Sequence, residues 1–237
     1  MCANIQFLSN PGHPGFFREF VNLPVSNLIA IPRELSLELA TIVEPLAVAM
    51  HSMKFAQIQA GETVAVFGAG PIGLLTIACL AVAGAGRIWA IDPVPHRREL
   101  AHHMGAHATL DTESDAARQI MADTAHRGVD CAIDCAAKKD TTNVAIRAVR
   151  NAGRVVLTGI HSDAMVPFEV SPMRRKELTI FNVRRSNHES HDALELLAAR
   201  MAWFAPLVTH TRPLHGVADA FTLTERYADG VGKMVIV

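Results

Sequence analysis

The stretch Thr63-Val-Ala-Val-Phe-Gly-Ala-Gly-Pro-Ile-Gly73, answered downstream by Trp89-Ala-Ile-Asp92, decides the fold. Thr63–Phe67 is a short apolar run of the kind buried on both faces of a parallel sheet, and Pro71 suits the first turn of a helix. Between them, Gly68 permits a tight turn, Gly70 leaves backbone N–H groups open to a pyrophosphate, and Gly73 lets the helix pack close to the strand. An anion there meets the positive end of the helix dipole. Glycine turns of this spacing also occur in methyltransferases, so the context carries the reading. Asp92 closes a second run, Arg87–Asp92, where a carboxylate can take both adenosine ribose hydroxyls and repel a 2′-phosphate. The expectation is a dinucleotide site that prefers NAD to NADP. Arg97, in the next helix, would weaken that preference by pairing with a phosphate.

Outward from this signature, apolar runs alternate with helical stretches. Strands read at Thr63–Phe67, Arg87–Asp92, Ala108–Leu110, Val129–Asp134, Gly153–Thr158 and Leu178–Val183. Helices read at Pro71–Ala83, Pro95–Met104, Ser114–His126 and Thr141–Arg150. This rhythm predicts an α/β fold, a doubly wound, mostly parallel sheet with helices on both faces. Ligands in such sheets bind at the carboxyl ends of strands. That nominates Gly68, Gly70, Pro71, Ile72 and Gly73, then Asp92, Cys135 with Ala136, and Thr158, Gly159 and Ile160.

The flanks differ. Residues 1–34 hold turn formers and extended segments at Phe16–Leu23 and Leu28–Ile31, and 35–57 reads as one helix with Glu44-Pro45 near its start or at a kink. Beyond 190 come a helix (Asp192–Trp203), a strand (Leu207–Thr211), a helix (Val217–Ala228) and a strand (Lys233–Val237).

At 237 residues, half of them hydrophobic, the chain can bury a substantial core. Its 22 basic and 23 acidic residues give a net charge of −1, with no block of one sign. Composition therefore offers no case for nucleic acid or an anionic membrane. Four irregularly spaced cysteines, Cys2, Cys79, Cys131 and Cys135, point to a reducing cytoplasm rather than a disulfide scaffold. The uncharged stretch 63–86 is long enough to nominate a membrane span, but Gly68–Pro71 divides it into a strand and a helix, each too short to cross. No basic region followed by a long apolar core marks the N-terminus as a signal peptide.

Several motifs in order, Cys2-Ala-Asn-Ile-Gln-Phe, Gly15-Phe-Phe-Arg-Glu-Phe20, Glu44-Pro-Leu-Ala-Val, the glycine turn, Asp92, Asp134-Cys135, Gly153-Arg-Val-Val-Leu-Thr-Gly159 and Pro206-Leu-Val-Thr-His210, give the chain a family likeness. It resembles the zinc-dependent medium-chain dehydrogenase/reductases, in particular their sorbitol or polyol branch. The resemblance implies a Rossmann domain at 45–187 that interrupts a groES-like β catalytic domain, with remnants of the latter at 1–44 and 188–237. It also implies zinc-assisted oxidation of a polyol or secondary alcohol by NAD. Arg184 matches a cleft-ordering arginine of that branch, and Arg185 stands where tyrosine is common. Leu178–Val183 matches the edge strand through which relatives pair, which implies a homodimer or homotetramer.

The departures are as telling. The side chains that bind zinc directly in the family, a cysteine and a His-Glu pair, have no counterpart here, so the chain reads as truncated at its N-terminus. Of that site only Glu44 remains, which the resemblance places beside the metal and commonly reached through water. Cys2 resembles the last member of a four-cysteine structural-zinc lobe whose other three members are missing. A single carboxylate does not hold a catalytic zinc, which needs about three protein ligands. Among twelve histidines, His51 lies two helical turns beyond Glu44 and reads as a packing or hydrogen-bonding residue. His102 and His103 read as solvated, His188 and His191 as residues of a loop-to-helix boundary, and Cys131 and Cys135 as core thiols. Two functional expectations result: an NAD- and zinc-dependent polyol or alcohol dehydrogenase, or a catalytically silent NAD-binding unit. A zinc-independent, NADPH-using quinone reductase is disfavoured by Asp92 and Glu44.

Overall fold

The computed structural model describes residues 7–9, 12–13, 15–111, 113–138 and 140–237, with only the backbone of 113–115. The Cys2–Phe7 match, Cys2 included, lies outside them apart from Phe7. Six parallel strands, β1 (Thr63–Phe67), β2 (Arg87–Ile91), β3 (Ala108–Leu110), β4 (Val129–Asp134), β5 (Val149–Leu157) and β6 (Thr179–Asn182), form one sheet in the order β3-β2-β1-β4-β5-β6. This is the doubly wound order, and it puts the glycine turn after β1 where the strand order reverses.

Alternate residues of the central strands feed two cores. Val64 and Val66, Ile88 and Ala90, and Cys131 and Ile133 face the layer made by α2 (Val43–Ala56) and α3 (Pro71–Val82). Ala65 and Phe67, Trp89 and Ile91, and Ala132 face the layer of α5 (Glu113–Asp123) and α6 (Thr141–Ala148). The uncharged helix α3 is therefore apolar on every side because α2 and the sheet enclose it. Among the described residues no helix is long and apolar enough to cross a membrane. The helix α4 (Pro95–His103) follows β2, and α8 (Ser190–Ala199) packs on α2, so that Leu194, Leu197, Phe204 and Leu207 join the larger core.

The differences from the expected elements have local causes. The predicted helix 35–57 is two, α1 (Leu37–Ala40), capped by the Ser36 hydroxyl, and α2. Pro45, which has no N–H to donate, falls in the first turn of α2, where none is needed. β5 starts at Val149, earlier than Gly153, because Val149 pairs with Val129 before the register shifts to Arg154 opposite Cys131. No strand forms at 16–23 or 28–31; a short 3-10 turn spans Val25–Asn27, and Phe16, Phe17 and Phe20 stand exposed. The chain ends with α7 (Val170–Arg175) leading into β6, α9 (Met201–Phe204) after α8, and then a parallel pair, β7 (Val208–Arg212) and β8 (Lys233–Ile236), joined by α10 (Val217–Glu225).

Candidate functional site

The three glycines of the turn are required for different reasons. Gly68 has φ +92°, and a Cβ on it would meet the Ala136 amide nitrogen at 2.9 Å. A Cβ on Gly73 would lie 1.8 Å from the Gly68 carbonyl oxygen. Both glycines are therefore imposed by the protein's own backbone. Gly70 has an ordinary φ of −71° at the N-cap of α3, and its nearest atom would be Arg97 Nη1 at 3.9 Å. Among the described residues nothing demands glycine there, and the space beside it opens onto the N-terminal end of a twelve-residue helix. That is the cradle an anion needs. Pro71, Ile72 and Gly73 form the first turn of α3.

Asp92 is almost fully buried just past β2. Its Oδ2 accepts from the Ala69 amide (2.8 Å) and its Oδ1 from the Val94 amide (2.9 Å), so it fixes the glycine loop as well as facing it. A carboxylate has about four acceptor directions, which leaves two for ligand hydroxyls. Arg97 Nη1 stands 3.9 Å from Oδ2, and its guanidinium stacks at 4.2 Å on Tyr227, two residues past α10. Its Nε is buried without a partner among the described residues. The cation is thus poised over Gly70 and Asp92 with capacity to spare.

At the β4 end, Asp134 collects four donors. The amides of Ala136 (3.0 Å) and Ala137 (2.9 Å) reach Oδ1, and the hydroxyls of Thr141 (3.0 Å) and Thr142 (2.7 Å) reach Oδ2. These bonds shape the loop carrying Cys135, whose thiol touches the Thr76 hydroxyl at 3.7 Å. Burial pushes the Cys79, Cys131 and Cys135 thiols up to about 12, so all three are inert core groups. Thr158, beyond β5, shares a 2.9 Å hydroxyl contact with Ser52 of α2, and Gly159 packs against Ala137. Ile160 projects outward, 85 % exposed. The sheet topology brings these positions to the same carboxyl edge as Gly68–Gly73 and Asp92.

The expected metal-side residues lie on separate elements. Glu44 is exposed on α2, and its charge is felt by Lys233 of β8, whose ammonium burial pulls below its usual range. Arg184 is exposed after β6, and Arg185 lies over the Phe7 ring at 3.7 Å. His51 Nδ1 meets Glu189 Oε1 at 2.9 Å, which makes it the hydrogen-bonding residue its position predicted. His188 and His191 are exposed. His102 and His103 are exposed, as expected, and each also finds hydrogen-bond partners. His102 bonds the Ala106 carbonyl and Thr109, while His103 and Trp203 exchange two hydrogen bonds, because α4 packs against these segments. Among the described residues no group of three or more His, Cys, Asp or Glu side chains is placed to hold a metal ion. A catalytic zinc, with its need for about three protein ligands, does not fit this donor set by itself.

Sequence reasoning missed Glu189, which joins α8 to α2. Burial opposes its charge, yet Lys54 Nζ (2.7 Å), the Asn187 amide and His51 together hold its carboxyl down to about 2. It also missed roles for Tyr227, Thr142 and His161. Only the acid at the end of β4 carried a signal, an Asp leaving a strand ahead of paired threonines.

With this geometry in place, the likenesses to known proteins become specific. A family model for zinc-binding dehydrogenases matches residues 71–199, and the chain belongs to that family. The sorbitol dehydrogenase of Bacillus subtilis (strain 168) is 30 % identical over the whole chain, which covers 67 % of that protein. Among solved structures, the alcohol dehydrogenase TADH of Thermus sp. ATN1 superposes with a TM-score of 0.86 at 29 % identity, covering 95 % of this chain and 66 % of that one. An Escherichia coli CFT073 alcohol dehydrogenase solved with NADH gives 0.84 at 26 % identity, covering 94 % and 66 %. The chain thus spans about two-thirds of the length of these relatives.

Proposed function

We propose that this chain is the nicotinamide-dinucleotide-binding part of a dehydrogenase that oxidises a polyol or secondary alcohol to the ketone. The observation that carries the reading is the open cradle at Gly70, where a glycine unneeded by the fold sits under Arg97 and beside Asp92. A bound dinucleotide would supply the hydride acceptor, taking hydride from the carbinol carbon while the hydroxyl proton leaves to solvent. The chain's own part is to hold it. Amides of Gly70, Pro71's successor Ile72 and Gly73 face the pyrophosphate, and Asp92 accepts from the adenosine ribose. Arg97 balances the phosphates, and Cys135, Thr158, Gly159 and Ile160 line the nicotinamide end. The free acceptor directions of Asp92 favour NAD over NADP.

Glu44 and Arg184 are proposed for the substrate side, Glu44 beside a family zinc whose further ligands would have to come from outside the described residues. The division into 1–44, 45–187 and 188–237 is proposed as one of lineage, since packing draws 190–207 into the same core as α2 and α3. The exposed ends of edge strand β6 support pairing with a second copy as a homodimer or homotetramer, and reduced cysteines support a cytoplasmic setting. A second reading, a dinucleotide-binding chain without turnover of its own, is favoured by the donor set, since among the described residues no three His, Cys, Asp or Glu side chains are placed to hold a metal ion. Alcohol-dependent NADH formation by residues 1–237 with added zinc would count against it.

The test is Gly70→Ala. Its φ and open surroundings let alanine fit, so the melting transition should move little. The new methyl intrudes where the pyrophosphate would lie, and NADH affinity by fluorescence titration should fall about tenfold or more. Unchanged NADH binding in a folded Gly70→Ala protein would refute the assignment.

A further inference from the structure

A cavity of about 520 Å³ opens at the carboxyl ends of β5 and β6, lined by Leu157, His161, Asp163, Phe168 and Asn182 among others. His161 is tied into the fold on one side only. Its Nε2 lies 3.2 Å from the Thr142 hydroxyl, which in turn donates to Asp134 Oδ2 at 2.7 Å. The hydrogen inventory sets the direction of this chain. Asp134 already accepts from four donors, so it takes the single hydroxyl hydrogen of Thr142 and returns none. Toward His161 the threonine oxygen can then only accept, which requires the hydrogen on Nε2. In the neutral ring the lone pair is left on Nδ1, which has no partner among the described residues. A buried Asp–Thr pair thus fixes the tautomer of a half-exposed histidine at the rim of a cavity.

The position of the cavity indicates its occupant. Adenosine belongs at Asp92 after β2 and the pyrophosphate at Gly70 after β1, so an extended dinucleotide continues across β4 toward β5 and β6. The end that arrives there is the nicotinamide, a flat ring bearing an amide. Leu157 and Phe168 offer apolar walls to the ring, and the amide brings N–H donors. We infer that His161 Nδ1 accepts a hydrogen bond from the nicotinamide carboxamide, with Thr142 as the positioning residue that holds the ring in the accepting tautomer. This inference rests on the dinucleotide reading above and adds to it a specificity-determining side chain.

Three probes separate the possibilities on the full chain: NADH, reduced 3-acetylpyridine adenine dinucleotide, in which a methyl replaces the amide nitrogen, and ADP-ribose, which lacks the ring. His161→Phe should weaken NADH by about three- to tenfold, the range for one neutral hydrogen bond, while leaving the acetylpyridine analogue and ADP-ribose within twofold. Thr142→Val should weaken NADH in the same selective way, and Thr142→Ser, which keeps the hydroxyl, should restore it. Equal weakening of NADH and the analogue, or no weakening of either, would overturn the inference while ADP-ribose binding keeps the dinucleotide reading intact. Failure of the unmodified protein to bind ADP-ribose or NADH would bring down both.

Discussion

The rim of the large sheet and the segment 15–31 were built from similar amino acids and came out differently. Around β1 and β4 every apolar side chain meets a partner within the chain, and Val64, Phe67, Cys131 and Ile133 are fully buried. In 15–31 the equally apolar Phe16, Phe17, Phe20, Val25 and Leu28 are between 55 % and 86 % exposed, and the strand-like runs form no ladder. β-propensity expresses itself only where another strand offers its N–H and C=O groups. Phe17 finds a single edge-to-face neighbour, Phe221 of α10, at 5.8 Å. The contrast separates a region that supplies its own partners from one that does not, and large exposed apolar surface of this kind is where association occurs.

Three substitutions probe the contrast. Gly73→Ala should have the largest effect, because its Cβ would sit 1.8 Å from a backbone oxygen at the hub of the sheet. We expect a loss of about 4 kcal/mol or more, or no cooperative unfolding transition at all, in urea denaturation followed by circular dichroism. Retained wild-type stability would mean that α3 and β1 are not held as closely as described.

Next comes the buried link between α8 and α2. Glu189→Ala removes the acceptor of the buried His51 and of the Asn187 amide, while Lys54 stays solvated, and should cost about 2 kcal/mol. Because the folded carboxyl is held down to about 2 from an ordinary 4.5, the stability it contributes is fully present above about pH 4.5 and is lost as pH falls toward 2. Wild-type stability should therefore fall across that window more steeply than that of Glu189→Ala; parallel pH profiles would remove Glu189 from the account. The smallest effect should come from Phe20→Ser at an 86 % exposed side chain, within about 0.5 kcal/mol of wild type by the same denaturation. A large loss there would show that 15–31 is packed more tightly than the contrast allows.

Much of the dinucleotide half was legible in the chain. The residues Thr63–Gly73 specify strand, turn and helix through local chemistry, and short continuous apolar runs with intervening helices specify a parallel sheet. The same local logic gave the exposure of His102 and His103 but not their partners, Ala106, Thr109 and Trp203, which are brought near by the way α4 packs. It also failed at the start of β5, where a register shift against β4 recruits residues from 149 that read as the tail of a helix.

By itself, then, the sequence determined the doubly wound class, the glycine cradle and the acid that faces it, because each depends on contacts within a few residues or on a repeating pattern. Tertiary structure alone decided which glycine is free of the fold's own demands, that Glu189 closes on His51 from 138 positions away, and that Asp134 and Thr142 set the tautomer of His161. Those are properties of atoms brought together across the sheet edge. No spacing along the chain encodes a hydrogen-bond direction or an empty volume.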